Sequence, residues 1–115
     1  MGFRSGLLLP TILLLLKRHP AHGYELLDEL EDFDLVGPMP DPAVVYRHLR
    51  KLEAEGMVAS RLEQGSGGPA RKVYSITSEG EGYLRAWVAT LKSRKSALER
   101  FLSAYREITG EVTEE

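Results

Sequence analysis

The sequence contains no cysteine, which excludes a disulfide framework, a zinc–thiolate site and a cysteine nucleophile. It also lacks an excess of one charge, because 15 Lys and Arg stand against 17 Asp and Glu, and the formal net charge is -2. The basic footprint typical of nucleic-acid binding is therefore missing from the average composition. The 115 residues, 43% hydrophobic and 28% charged, are nevertheless sufficient for one globular domain with a modest core.

No apolar run is long enough to span a membrane. The longest, residues 7–16, has about half of the ~20 residues that a spanning helix needs. A secretory signal is the alternative, but the basic residues 17–19 follow at once where a cleavage region wants small neutral residues, and Pro10 interrupts the run. We therefore expect a buried first helix over residues 6–18, no membrane association and a cytoplasmic location.

The third predicted helix has clear signals at both ends. Asp41 is a good N-cap, and Pro42 occupies the first helical position, where its missing N–H costs nothing. Gly56 supplies the stop. The helical period places on the inward side Val45, Leu49 and Leu52. It places on the outward side Ala43, Val44, Arg47, Arg50 and Lys51.

A β-hairpin follows this helix. Two short runs with a period of two, Val58–Gln64 and Arg71–Ile76, are joined by a flexible glycine-rich tip at residues 65–70. A second helix over residues 22–33 precedes the third, and the Gly- and Pro-containing segment 35–42 connects the two. Helices followed by a hairpin in this order form a winged helix-turn-helix layout.

The last helix is expected to open at a capping box made by Ser78 and Glu81. Apolar residues recur along this helix at helical spacing, but residues 93–96 (SRKS) interrupt them, and there we expect a bend or a change of contact. The sequence therefore predicts a mainly α fold with a small β-hairpin. Residues 1–77 form the winged helix-turn-helix, and residues 78–115 form a long C-terminal helix and an acidic tail.

This layout predicts how the chain would bind DNA. A helix fits the major groove of B-DNA, and the hairpin tip, or wing, reaches the backbone or the neighbouring minor groove. Arg47 is placed to pair bidentately with a guanine, and Tyr46 on the flank of the helix is a candidate phosphate contact. The DNA-binding candidates are Val44, Tyr46, Arg47, Arg50, Lys51, Arg61, Gly67, Gly68, Arg71 and Lys72.

The charge is unevenly distributed along the chain. Residues 1–40 hold 3 basic and 6 acidic side chains, residues 41–76 hold 6 and 4, and residues 77–115 hold 6 and 7. The third helix and the wing therefore form the only net-positive third, at +2 against -3 and -1. Because +2 is a weak field, binding to DNA should need both subunits of a dimer and fade quickly with salt.

Over about residues 7–91 the sequence resembles PadR-type transcriptional regulators. Residues 20–26 read PAHGYEL and are similar to the P-x-H-G-Y-E-L signature of that family. Residues 45–58, VYRHLRKLEAEGMV, resemble its recognition-helix pattern. Residues 67–80, GGPARKVYSITSEG, resemble its wing and the start of its last helix.

The resemblance implies a homodimeric repressor that binds an inverted-repeat operator in double-stranded DNA, with its C-terminal helix packed against the partner subunit. The candidate dimer contacts are Leu8, Leu84, Trp87, Val88, Leu91, Leu98, Phe101, Leu102 and Tyr105. Members of the family answer to small aromatic compounds, so an effector pocket at Trp87 and Leu91 is also implied. Packing at the dimer interface is the other role open to Trp87.

Two other classes of function are alternatives to this one. No nucleophile–base pair, carboxylate dyad or metal set supports an enzyme, and no cofactor is expected. His19 and His22 have H-x-x-H spacing, but Pro20 separates them and no third ligand type is near, so we expect no metal site. The remaining alternative is a winged-helix module that uses the same face for protein contacts and never binds DNA, which the weak charge and the apolar Val44 favour.

Overall fold

The computed structural model describes residues 4–33, 41–65 and 67–111, so most of the predicted connection between the second and third helices lies outside the described residues. A short 3-10 turn at Arg4–Leu7 leads into the first helix. The elements are, in chain order, α1 (Leu8–Arg18), β1 (Ala21–His22), α2 (Gly23–Phe33), α3 (Pro42–Ala54), β2 (Val58–Glu63), β3 (Arg71–Ile76) and α4 (Ser78–Thr109). They confirm the predicted fold class of helices with a small hairpin.

Helix α1 lies at the centre of the core. Its buried residues cover more than one side of the helix and include Ile12, Leu13 and Leu16. Thr11 is buried as well, but its hydroxyl donates to the carbonyl of Leu7 at 2.6 Å, so no polar group is left without a partner there. Each such apolar side chain contributes about 1.5–3 kcal/mol when buried. No helix in the described part of the chain combines the length and apolar character needed to cross a membrane.

Helices α2 and α3 form the helix-turn-helix pair and approach each other where α2 begins. A Cβ atom at Gly23 would lie 2.1 Å from the hydroxyl of Tyr46 and 2.6 Å from its ring carbon Cζ, so the close approach requires glycine. The predicted cap of α3 is confirmed. The Oδ1 atom of Asp41 accepts the backbone N–H of Ala43 at 2.9 Å, and Pro42 occupies the first turn.

The end of α3 at Gly56 is also as predicted. This glycine has φ +79°, and its N–H donates to the carbonyl of Glu53 at 3.1 Å. The N–H of Met57 donates to the carbonyl of Leu52 at 2.8 Å. These two bonds form a Schellman motif, which satisfies carbonyls at the end of the helix and turns the chain into β2.

The sheet has three antiparallel strands in the order β1-β3-β2. The hairpin of β2 and β3 is confirmed, and its register pairs Val58 with Ile76 and Leu62 with Lys72. The two-residue strand β1 was not predicted: it pairs with β3 through Ala21 and Tyr74. Two residues are too few for a period of two to be recognised, so only the neighbouring strand identifies them as β-structure.

The predicted capping box of α4 is wrong by one residue. Thr77, not Ser78, is the cap: its Oγ1 accepts the N–H of Gly80 at 3.0 Å. The Thr77 hydroxyl also lies 2.7 Å from the carbonyl of Gly56 and 3.0 Å from that of Met57, so it holds α4 against the turn after α3. The Ser78 hydroxyl instead donates to Oε1 of its neighbour Glu79 at 3.3 Å.

Helix α4 is continuous from Ser78 to Thr109, and its hydrogen-bonded run does not break at residues 93–96. The chain divides into two compact units, and the boundary falls inside this helix, between Leu84 and Arg85. In the first unit, Leu84 and Tyr83 pack against the core. In the second unit, a row of large apolar side chains is exposed on a single chain: Val88, Leu98, Phe101, Leu102, Tyr105 and Ile108.

Candidate nucleic-acid interface

The outward side of α3 carries a cluster of cations. Arg47, Arg50 and Lys51 are exposed, and within the described residues none of them forms an ion pair. The opposite side is anchored by Val45, Leu49 and Leu52, all buried. Because anchoring and exposure fall on opposite sides of one helix, the three cations are held on a rigid support and are available to a partner.

Val44 does not lie on this outward side as predicted. It is half-buried and packs against the hydrophobic core, whereas Ala43 is exposed. A small side chain, rather than a branched apolar one, therefore accompanies Arg47 on the exposed side.

Tyr46 lies on the flank of α3, as predicted, but it is half-buried rather than free. Its ring packs against the core cluster, and its hydroxyl lies beside Gly23 at the start of α2. Burial raises the pKa of Tyr46, and the nearby phenols of Tyr24 and Tyr74 raise it further. The side chain therefore stays neutral and acts as a spacer between the two helices of the helix-turn-helix.

The wing cations divide between the two faces of the sheet. Lys72 pairs in register with Leu62, and Arg71 pairs with Glu63, so the alternation of side chains puts Lys72 and Arg71 on opposite faces. Arg61 shares the face of Arg71 and lies 3.3 Å from Glu63. Arg61 thus lies apart from Lys72, whereas Arg71 and Lys72 at the exposed end of β3 line one common pocket.

The wing tip itself is open. A Cβ atom at Gly67 or Gly68 would meet nothing within 4 Å, and Gly67 has φ +72°. Ser66 between Gly65 and Gly67 lies outside the described residues. Both positions therefore have open space around them, and the predicted close approach of DNA to their backbone stays a prediction.

Glu53 joins α3 to the wing. Its Oε2 accepts the hydroxyl of Ser60 at 2.5 Å, and its Oε1 lies 3.4 Å from the ammonium of Lys72. The hydrogen bond from Ser60, and after it Lys72, hold the pKa of Glu53 below its usual value. The carboxylate therefore stays charged and links the end of α3 to the strands β2 and β3. Sequence reasoning missed this role, because Glu53 on its own reads as an ordinary surface residue.

His48 is a second residue that the sequence did not single out. It is half-buried on α3, between the cations Arg47 and Lys51. Burial lowers the pKa of His48, and these two cations lower it further. The imidazole is therefore held neutral inside a cationic helix.

The predicted dimer contacts fall into three groups. Leu8 is only 9% exposed and packs in the core of its own chain, whereas the exposed leucine of α1 is Leu14, at 43%. Leu84 is half-buried against the same core. Trp87 and Leu91 are half-buried, and the guanidinium of Arg94 lies 6.0 Å from the Trp87 ring. The remaining candidates are exposed: Val88, Leu98, Phe101, Leu102 and Tyr105.

Comparison with known proteins matches this architecture to regulators of transcription. The model of the transcriptional regulator PadR-like family matches residues 12–86. The transcriptional regulator YqjI of Escherichia coli (strain K12) is 32% identical over 82 residues, which are 71% of this chain and 38% of that protein. The chain thus spans well under half the length of this curated relative.

Solved structures agree with the sequence matches. A conserved protein of unknown function, described as a potential transcriptional factor, has a TM-score of 0.81 at 34% identity, over 96% of this chain and 97% of its own. A transcriptional regulator from Eggerthella lenta has a TM-score of 0.77 at 33% identity, over 86% of this chain and 84% of its own. The family match over residues 12–86 includes the helix-turn-helix, the wing and the beginning of α4.

Proposed function

The chain belongs to the PadR-like family of transcriptional regulators, which are not enzymes, and we propose that it acts as a homodimer on double-stranded DNA, with α3 in the major groove and the wing on the backbone. The observation that carries the proposal is the exposed set Arg47, Arg50 and Lys51 on a helix whose other side is fully anchored. A rigid cationic helix of this kind matches the width and the charge of the groove.

Each cation has a separate role in this proposal. Arg47 reads a guanine through its two parallel donors, which discriminates by about 1–3 kcal/mol against the wrong base. Arg50 and Lys51 contact phosphates and set the register without reading sequence. The wing adds Arg71, Lys72 and the open backbone at the glycine tip. Arg61 is the weakest member, because it forms an ion pair with Glu63 at 3.3 Å.

The proposed dimer forms along the second unit of the chain. Phe101 is 67% exposed and Ile108 is 83% exposed on the isolated helix, which is unfavourable for apolar side chains in water. Burying the row of Val88, Leu98, Phe101, Leu102, Tyr105 and Ile108 against its equivalent in a second copy removes it from water. Two-fold symmetry then predicts an inverted-repeat operator, with the recognition helices about one helical turn (~34–36 Å) apart.

Repression and its relief complete the proposal. A dimer bound over a promoter blocks transcription, and a small aromatic effector stacked on Trp87 beside Leu91 changes the relative orientation of the two heads and lowers affinity. The Trp87 ring is half-buried, so part of it is held by the protein while the rest is open to a ligand, which supports this role. The proposed location is the cytoplasm, where the DNA is.

Fluorescence anisotropy with DNA from upstream of the gene, repeated at increasing salt, tests the proposal. Arg47→Ala should weaken binding by about 1–3 kcal/mol per half-site, and Lys51→Ala should reduce the salt dependence by about one phosphate contact. Arg100→Ala is the matched control, because Arg100 is exposed on α4 on the side opposite the apolar row. Absence of binding at low salt, or equal binding by Arg47→Ala and Arg100→Ala, would mean that this face serves protein contacts instead.

A further inference from the structure

Two cations interrupt the exposed apolar row of α4 between Val88 and the rest of the row. Arg94 lies seven residues before Phe101, and Lys95 lies seven residues before Leu102, so the helical period puts both cations on the side of the row. Both are exposed, and within the described residues neither forms an ion pair. Covering a cation without supplying an opposite charge is unfavourable, so a partner of this helix has to provide an anion at this point.

The other end of the row carries a carboxylate. Gly110 follows the last residue of α4 with φ +76°, and its N–H donates to the carbonyl of Arg106 at 2.8 Å. The hydroxyl of Tyr105, a member of the row, donates to Oε2 of Glu111, and the N–H of Glu111 donates to Oγ1 of Thr109 at 3.1 Å. The hydrogen bond with this carboxylate raises the pKa of Tyr105. The Glu111 carboxylate is therefore held beside the row at its C-terminal end.

The row and its two charged ends have the same centre. The part of the row that follows the cations has its middle between residues 102 and 103; its members are Leu98, Phe101, Leu102, Tyr105 and Ile108. The midpoint between the cations at 94–95 and the carboxylate at 111 also falls between residues 102 and 103. Reversing the direction of the helix about this point exchanges the cations with the carboxylate and maps the row onto itself.

We infer that two copies of this chain pair antiparallel along α4, with the two-fold axis between residues 102 and 103. The carboxylate of Glu111 in each copy binds the cations Arg94 and Lys95 of the other copy. The inference rests on the proposed homodimer, to which it adds the direction of the two helices and the charges that select this direction.

The same register also covers the apolar row. Leu98 lies opposite Ile108 of the second copy, and Phe101 lies opposite Tyr105 of the second copy, so large side chains meet in successive layers. Phe101 and Ile108 are the most exposed members of this part of the row, and each of them receives a partner. Charge pairing and apolar burial therefore require one and the same arrangement.

A parallel pair satisfies the apolar row but not the charges. In a symmetric parallel pair each residue of the row side faces its own copy. Arg94 and Lys95 would then bring four cations together, and the two Glu111 carboxylates would meet at the other end. Like charges that face each other weaken association, and charge pairs between helices are what select their direction.

Disulfide cross-linking of the whole chain tests the direction, because the sequence contains no cysteine that could interfere. When Leu98→Cys and Ile108→Cys are combined, oxidation should join two chains, and non-reducing electrophoresis should show a covalent dimer. Each single variant is the control. In the antiparallel pair its two thiols are about 15 Å apart along the helix axis, beyond the reach of a disulfide, so both singles should stay uncoupled.

Sedimentation equilibrium tests the ion pairs. Replacing both cations, by Arg94→Glu with Lys95→Glu, should raise the Kd of the dimer by about tenfold or more, because attraction becomes repulsion at two symmetric places. Glu111→Arg should also raise the Kd, and the chain with all three changes should recover the original Kd, since every pair is restored with exchanged signs. Lys92→Glu with Arg100→Glu is the matched control: it makes the same change in net charge away from the row and should leave the Kd unchanged.

The possible results distinguish the inference from the proposed function. A chain that stays monomeric at every concentration would refute the proposed homodimer and the inference together. A dimer in which Leu98→Cys alone cross-links would refute the antiparallel direction and leave the homodimer standing. Failure of Glu111→Arg to restore the Kd of the chain with reversed cations would refute the ion pairs. An antiparallel dimer that does not bind DNA would refute the proposed function and leave the inference standing.

Discussion

The junction between the turn after α3 and the start of α4 provides the sharpest test of the packing. A Cβ atom at Gly80 would lie 2.0 Å from the carbonyl oxygen of Met57 and 2.8 Å from the side chain of Ile76. The Met57 carbonyl is backbone and is held by the N–H of Thr77 at 3.1 Å. We therefore predict that Gly80→Ala destabilises the protein, although alanine is the better helix former.

The size of this effect follows from three contributions. Forcing a methyl group into a packed contact costs about 1–3 kcal/mol. Displacing the Met57 carbonyl from the N–H of Thr77 costs about 1 kcal/mol for the lost hydrogen bond. The higher helix propensity of alanine returns up to about 1 kcal/mol. The free energy of unfolding should therefore fall by about 1–3 kcal/mol.

Urea unfolding at one fixed protein concentration measures this change, because association would shift apparent stability at other concentrations. Gly68→Ala is the control: a Cβ atom there meets nothing within 4 Å, so its effect should stay within about 0.5 kcal/mol. If Gly80→Ala is neutral or stabilising, the close approach of α4 to the turn after α3 is not as described, and the reasoning fails.

Three further predictions concern the cap, the buried imidazole and the wing. Thr77→Ala should lower the free energy of unfolding by about 1–2 kcal/mol, whereas Ser78→Ala should lower it by less than about 0.5 kcal/mol. Equal losses in urea melts would mean that Ser78 caps the helix as the sequence suggests. The pKa of His48 is lowered on folding, so the unfolded chain binds more protons and the free energy of unfolding should fall as the pH drops below about 6.5. In His48→Gln, urea melts should show a smaller difference in this free energy between about pH 7.5 and pH 5.5. Glu53→Gln removes the charge beside Lys72, so DNA affinity in anisotropy should rise severalfold with a steeper salt dependence, and an unchanged salt dependence would argue against Lys72 as a phosphate contact.

Elements with local signals could be predicted from the sequence almost to the residue. The cap at Asp41, the stop at Gly56 and the hairpin strands all have signals carried by residues within a few positions of the feature itself. Their physical causes are short-range hydrogen bonds and backbone conformations, which do not depend on the rest of the chain.

The differences between the expected and the observed elements have a common physical cause. Which leucines of α1 face the core depends on how α1 packs among its neighbours, and a helix that is apolar on nearly all sides carries no internal sign of it. Thr77 replaces Ser78 as the cap because the carbonyls of Gly56 and Met57, in the turn before the wing, lie beside its hydroxyl. Gly56 is 21 residues from Thr77 in the sequence, so no local pattern reveals this contact. The strand β1 exists only because β3 passes next to it.

The functional residues divide in the same way. The order of elements, the family signature and the cations of α3 are properties of the chain itself, because periodicity and capping are local and charge is additive along the sequence. The pocket lined by Tyr24, Tyr46 and Tyr74 and the Glu53 contact with Ser60 and Lys72 arise only where α2, α3 and the wing converge. Side chains from positions as far apart as Tyr24 and Tyr74 become neighbours through tertiary packing alone, so the sequence determined which chemistry is present, and the fold decided which groups act together.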